Sequence, residues 1–203
     1  MLDRMRKHLD DKEKIREQAL DISRRVIRAS ARAIAAMHRE DQAVARKMLR
    51  EAQAGLVELK KAVKSDPLWM HSGIVQSAQQ EYCEAKILEG LLKHGRLQTP
   101  EELKISYEPY LAAMADVSGE LRRHTLDLIR ADKVANAERV LRTMEEIHEF
   151  LMSFDYPDAI LPGMKRRQDM VRGVLEKTRG DLTTALRQQR LERALERAKR
   201  RKK

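Results

Sequence analysis

Ile15, Ala19, Ile22, Val26, Ala29, Ala33 and Ala36 recur at alternating intervals of four and three residues. Side chains at that spacing share one face of an α-helix and cannot share a face of a strand. A stripe sustained this far predicts a long packed helix from about Asp10 to Met37. The rest of the chain reads the same way. Among 203 residues there are only 8 Gly and 5 Pro, and the helix formers Ala, Leu, Arg, Glu and Lys dominate. No segment shows the period-two alternation of a half-buried strand.

The breaks divide the chain into helices. A second helix from about Gln42 to Val63 ends at Ser65-Asp66-Pro67. A third runs on to His94, where Lys93-His94-Gly95 places cations in the last turn and a glycine at the cap. Thr99-Pro100-Glu101-Glu102 is a capping box opening a short helix. Further helices span about Glu108 to Arg130 and Val134 to Phe154, and Leu161-Pro162-Gly163 introduces a last long one. Gly173 and Gly180 inside it are read as points of close helix approach. The expected fold is all-α, a single-domain bundle of about six or seven helices over residues 1–186, followed by a basic helix end or tail at 187–203.

The net charge of +10 is unevenly placed. Residues 187–203 hold nine Lys or Arg against Glu192 and Glu196, seven of those ten net charges. This end would either add salt-sensitive attraction to phosphates or solubilise a helix terminus. A single cysteine excludes an internal disulfide, no apolar run approaches the ~20 residues of a membrane span, and the N-terminus is too charged for a secretory signal. The expected location is cytoplasmic.

Two polar features stand out. Between Asp21 and Glu40 there is no acid, while Arg24, Arg25, Arg28, Arg32 and Arg39 fall within about 100° of helical arc. Such a ridge suits phosphates; its plainer explanation is salt bridging to acids on a neighbouring helix. The second feature is a pair of acidic couples, Glu81-x-x-Glu84 and Asp116-x-x-x-Glu120, each spaced to put both carboxylates on one helix side. Glu81 interrupts the apolar series Ile74, Ala78, Ala85, Leu88, Leu92, and Glu84 lies about 60° round at its border. Asp116 and Glu120 fall on the polar face of their helix. If the helices brought both couples together, a hard divalent cation would hold the four carboxylates ionised; otherwise their pKa values would rise. Cys83 points to the far side of its helix, as a packed residue does.

Other chemistries are poorly supported. Glu145-x-x-His148 has di-iron ligand spacing but occurs once where a four-helix site needs it twice. There is no zinc-binding cysteine cluster, glycine-rich phosphate loop or nucleophile elbow. With 3% aromatic residues, base stacking cannot dominate nucleic-acid recognition. Trp69 reads as the anchor of a helix start.

At these residues the sequence resembles the translin/TRAX family, in particular archaeal TRAX-like members. The resemblance rests on Leu20-Asp21-Ile22-Ser23-Arg24 with Ser30, Arg32, Ile34 and His38-Arg39; on Gln80-Glu81-Tyr82-Cys83-Glu84-Ala85; and on Tyr110-Leu111 with Ala115-Asp116-Val117-Ser118-Gly119-Glu120-Leu121. Phe154-Asp155-Tyr156-Pro157-Asp158 and Leu175-Glu176-Lys177-Thr178-Arg179-Gly180 extend it to roughly residues 10–186. It implies a translin-like fold and a metal-dependent endoribonuclease that cuts single-stranded RNA inside a homo-oligomeric shell, an octamer by analogy. The implied catalytic and metal-holding residues are Glu81, Glu84 and Asp116, with Glu120 as an acidic neighbour and Mg²⁺ or Mn²⁺ as the cofactor. Arg24, Arg25, Arg28, Arg32, Arg39, Arg122 and Arg123 would contact RNA, and single-stranded DNA is a further candidate ligand. The alternative is a non-catalytic, single-stranded nucleic-acid-binding shell of translin type. A helical adaptor, with arginines and acids in interhelical salt bridges, is a second rival.

Overall fold

The computed structural model describes residues 1–64 and 66–201; Ser65 in the expected second-helix stop, and Lys202 and Lys203 of the basic end, lie outside them. Eight helical segments and no strand occur among the described residues: α1 (Leu2–His38), α2 (Gln42–Val63), α3 (Pro67–Met70), α4 (Gly73–His94), α5 (Pro100–Leu103), α6 (Tyr107–Arg130), α7 (Val134–Met152) and α8 (Met164–Arg201). Six are long, and α3 and α5 are single turns. The chain divides into two compact units, Met1–Met114 and Ala115–Lys203, with the division inside α6.

In the first unit α1 packs against α2 and α4, and α2 against α4. The α1 stripe read from the sequence is its buried face: Ala19, Ile22, Val26, Ala29, Ala33 and Ala36 are at most 3% exposed, and only Ile15 at its start is half-buried. Leu59 of α2 and Ile87 and Leu88 of α4 are fully buried with them, each contributing about 1.5–3 kcal/mol by leaving water. Small residues let α1 and α2 come close. A Cβ placed on Gly55 would stand 2.7 Å from Val26 Cγ2. A short turn with Glu40 at φ 60° joins the two helices, and the Asp41 carboxylate caps α2 by accepting from the Val44 N–H at 3.1 Å. Ser23 Oγ donates to the Ile74 carbonyl at 2.9 Å, tying α1 to the start of α4.

The second unit holds the remainder of α6 with α7 and α8. α7 packs on α8, with Val134, Ala137 and Leu182 buried beside Leu128, Ile129, Leu141 and Leu186. Gln168, 5% exposed, donates through Nε2 to the carbonyls of Leu151 at 2.8 Å and Phe154 at 3.0 Å. One buried amide thus satisfies the end of α7 and fixes the entry to α8.

Most helix signals operate as expected. α2 has the expected bounds, Gly95 caps α4 at φ 62°, and Thr99 and Glu102 form the reciprocal capping box. Three expectations are corrected. α1 begins at Leu2 rather than near Asp10: residues 2–14 are helical but almost wholly exposed, and their short apolar series Leu2, Met5, Leu9 breaks off before the buried stripe starts at Ile15. The third helix is interrupted: Ser72 Oγ bonds back to the Trp69 carbonyl at 2.7 Å and α4 starts afresh at Gly73. Gly173 and Gly180 are not points of close approach; a Cβ at either would meet nothing within 4 Å in the chain. The basic segment continues α8 as helix through Arg201 and is exposed from Arg190 to Arg200.

Candidate carboxylate site and basic faces

α4 carries the first acidic couple. Its buried residues include Val75, Gln79, Tyr82, Cys83 and Ala85, so more than one side of the helix is covered. This changes the weights of the two acids. Glu84, expected at the border of the stripe, is the buried one at 9% exposure, while Glu81 is half-buried. A carboxylate so placed requires compensating groups around it. Cys83 beside it is fully buried, and burial, with the charge of Glu84, pushes its thiol up to about 12. It is a packed thiol, not a nucleophile. Tyr82, also pushed up to about 12 by burial first, stays a neutral phenol.

Asp116 and Glu120, expected on a solvated face, are half-buried on α6 in the second unit. Asp116 Oδ1 accepts from Arg167 Nη1 at 2.9 Å. Arg167 lies 51 residues away and was not among the expected site residues; no local signal in the chain singles it out. Each couple shares one turn of its own helix, Glu81 and Glu84 in the first unit, Asp116 and Glu120 in the second. Among the described residues no three His, Cys, Asp or Glu side chains stand together as a set that could hold a metal ion. In chemistry the four acids suit a hard, oxygen-preferring divalent cation. A couple alone supplies too few ligands to make a cage.

The arginines divide into two groups. Arg24, Arg28 and Arg32 on α1 and Arg39 at its C-cap are exposed, and none of the four is seen in an ion pair among the described residues. Arg25 is instead tied to Glu58 of α2 at 2.8 Å and to Asp21 at 3.4 Å, and the Glu58 carboxylate raises its pKa further. For this one position the salt-bridge explanation holds. Arg122 is likewise engaged, at 2.8 Å from Asp181 and donating to Thr178 Oγ1 at 3.1 Å. Arg123 beside it is exposed. Glu145 pairs with Arg179 at 2.8 Å, consistent with an ordinary role for the Glu145-x-x-His148 spacing.

These elements define a class: an all-helical protein with carboxylate couples on two helices and arginines left open on a third. The Translin family model matches residues 14–179. An uncharacterised protein of Methanocaldococcus jannaschii is 34% identical over 192 residues, 94% of this chain and 85% of that protein. The chain belongs to the translin family. Among solved structures, that of AfC3PO is 30% identical with a TM-score of 0.83, over 91% of this chain and 96% of that one. An AfC3PO–duplex RNA complex is 29% identical with a TM-score of 0.82, over 91% and 95%. Apo-NeC3PO, 22% identical over 91% and 96% with a TM-score of 0.81, shares the fold. No helix among the described residues is long and apolar enough to cross a membrane.

Proposed function

We propose that this chain is a TRAX-like, metal-dependent endoribonuclease that binds single-stranded RNA within a homo-oligomer, an octamer by family analogy. The observation that carries the reading is Glu84, an acid 9% exposed beside Glu81 on α4. Ionisable groups drawn out of water to this degree concentrate at functional sites. The RNA complex of AfC3PO supports a nucleic-acid ligand.

In this reading Glu81, Glu84, Asp116 and Glu120 would together hold Mg²⁺ or Mn²⁺, whose chemistry there is to activate bound water and to neutralise charge on the attacked phosphate. Arg167 keeps Asp116 oriented. Arg24, Arg28, Arg32, Arg39 and Arg123 would bind backbone phosphates, giving little base specificity and strong salt dependence. Arg25 and Arg122 serve mainly to brace helices.

The test is incubation of purified protein with labelled single-stranded RNA, in Mg²⁺ or in EDTA, beside Glu84→Gln. Cleavage should require the metal and disappear in the variant, while RNA binding in EDTA persists. A second readout is thermal: saturating Mg²⁺ should raise the melting temperature of the wild type by mass action and leave the variant unmoved. Cleavage indifferent to both chelation and substitution would be contamination and would end the nuclease reading. One observation favours a non-catalytic nucleic-acid-binding shell instead: no three-acid set stands assembled among the described residues. That protein would bind RNA, with single-stranded DNA as a further candidate, and show no metal-dependent cutting or melting shift.

A further inference from the structure

A groove of about 290 Å³ lies within the first unit, between α2, α4 and the turn that follows α5. Its floor is apolar, made by Leu56, Leu103, Ile105 and the ring of Tyr82. Four lysines line it, Lys60 and Lys61 from α2, Lys64 just past its end and Lys104 from the turn, and no acid among the described residues does. Three acids of the neighbouring helices and turns are committed elsewhere. Glu102 pairs with Arg96 at 2.9 Å, Glu101 accepts from the Tyr107 hydroxyl at 3.1 Å, and Glu58 holds Arg25.

One of these cations is held in place. Lys60 Nζ donates to the Lys104 carbonyl at 2.6 Å, anchoring one ammonium at the rim. Lys104 is the left-handed C-cap of α5 at φ 55°, so its carbonyl, the acceptor for Lys60, is set by the end of that helix. Burial, and then the Lys104 ammonium, lower the pKa of Lys60.

We propose that this groove binds a phosphomonoester carried on a compact apolar or aromatic body, with the lysines gripping the dianionic phosphate and Leu56, Leu103 and Ile105 covering the body. The volume sits at the lower limit of the ~300–1,000 Å³ typical of small-molecule pockets, which suits a ligand of roughly mononucleotide size or less. The terminal phosphate could come from a free metabolite or from the 5′ end of an RNA. This assignment is independent of the acidic couples and of whether the protein cuts RNA.

The test is calorimetric titration of the full chain, without divalent metal, using phenyl phosphate as probe and inorganic phosphate and phenol as controls. Phenyl phosphate should bind saturably, one per chain, and inorganic phosphate about tenfold more weakly for want of an apolar body. Lys60→Gln should weaken phenyl phosphate about tenfold. Because Lys60 also bonds the turn, the double variant Lys61→Gln/Lys64→Gln, which disturbs no described hydrogen bond, should weaken it at least as much. A second arm compares 5′-phosphorylated with 5′-hydroxyl oligoribonucleotides. A preference for the phosphorylated end, lost in the double variant and competed by phenyl phosphate, assigns the site to RNA ends. Saturable phenyl phosphate binding with no such preference assigns it to a free phosphomonoester. Absence of saturable phenyl phosphate binding, or affinity unchanged in both variants, overturns the proposal.

Discussion

Arg167 Nη1 lies 2.9 Å from Asp116 Oδ1, with 28% and 25% of the two side chains exposed, and so fastens the first turn of α8 to α6. An acid held this way is oriented by a group that does not itself carry the chemistry proposed for Asp116. Arg167→Met should therefore lower Mg²⁺-dependent cleavage about 10- to 100-fold, as losses behind metal-ligating side chains commonly do. RNA binding in EDTA should change far less. Arg167→Lys should recover part of the loss, restoring charge but not the planar fork. The split between cleavage and binding distinguishes positioning from general destabilisation.

The exposed and the braced arginines should respond differently. Replacing Arg24, Arg28 and Arg32 with Gln should weaken RNA binding and flatten its salt dependence. Each lost phosphate contact should reduce the log–log slope by about 0.7 for a single strand. Arg25→Gln should instead cost a fraction of a kcal/mol in stability, since its bridges to Glu58 and Asp21 are half-exposed and screened. Binding isotherms across salt concentrations, beside urea melts, separate the two effects.

Three glycines offer a packing test. Gly55→Ala forces a methyl group against the buried, χ1-restricted Val26 and should destabilise by about 1–3 kcal/mol. Gly173→Ala and Gly180→Ala enter open space within a helix and should each stabilise by about 1 kcal/mol. Denaturant midpoints read opposite signs from chemically identical substitutions.

Glu89 should govern part of the acid limb of stability. Burial raises its pKa, but the Lys86 and Lys93 ammoniums, each at 2.6 Å, outweigh burial and leave it depressed below the ordinary 4.5. A depressed carboxylate contributes stability above its unfolded pKa and loses it as pH falls through the folded value. The wild type should thus lose more stability than Glu89→Gln on acidification from about pH 5 to about pH 3. Urea midpoints at the two pH values give the comparison; parallel losses would show that the two lysines do not stabilise the ionised form.

Local periodicity made much of the fold legible. Gln42 and Val63 bound α2 as read from the sequence, and the Thr99–Glu102 box is formed by both of its hydrogen bonds. The start of α1 was not read from the sequence, because the short series Leu2, Met5, Leu9 stays exposed and does not continue in register into the stripe that begins at Ile15. The break at Ser72 was missed because a Ser-Gly pair weakens a helix without forbidding it. At the candidate site, both acidic couples were visible from composition and spacing. Their relative burial was not: stripe reasoning assumes one covered face, whereas α4 buries Tyr82, Cys83 and Glu84 in succession.

The amino-acid order was enough to specify helices, their caps and the sharing of a turn by Glu81 with Glu84 and by Asp116 with Glu120, because each depends on neighbours within about four residues. Arg167 meeting Asp116, Arg25 meeting Glu58 rather than solvent, and Glu84 being deeper than Glu81 were decided only when separate helices covered one another. Burial and ion pairing across 33 or 51 residues depend on which surfaces meet, and helical period carries no information about that.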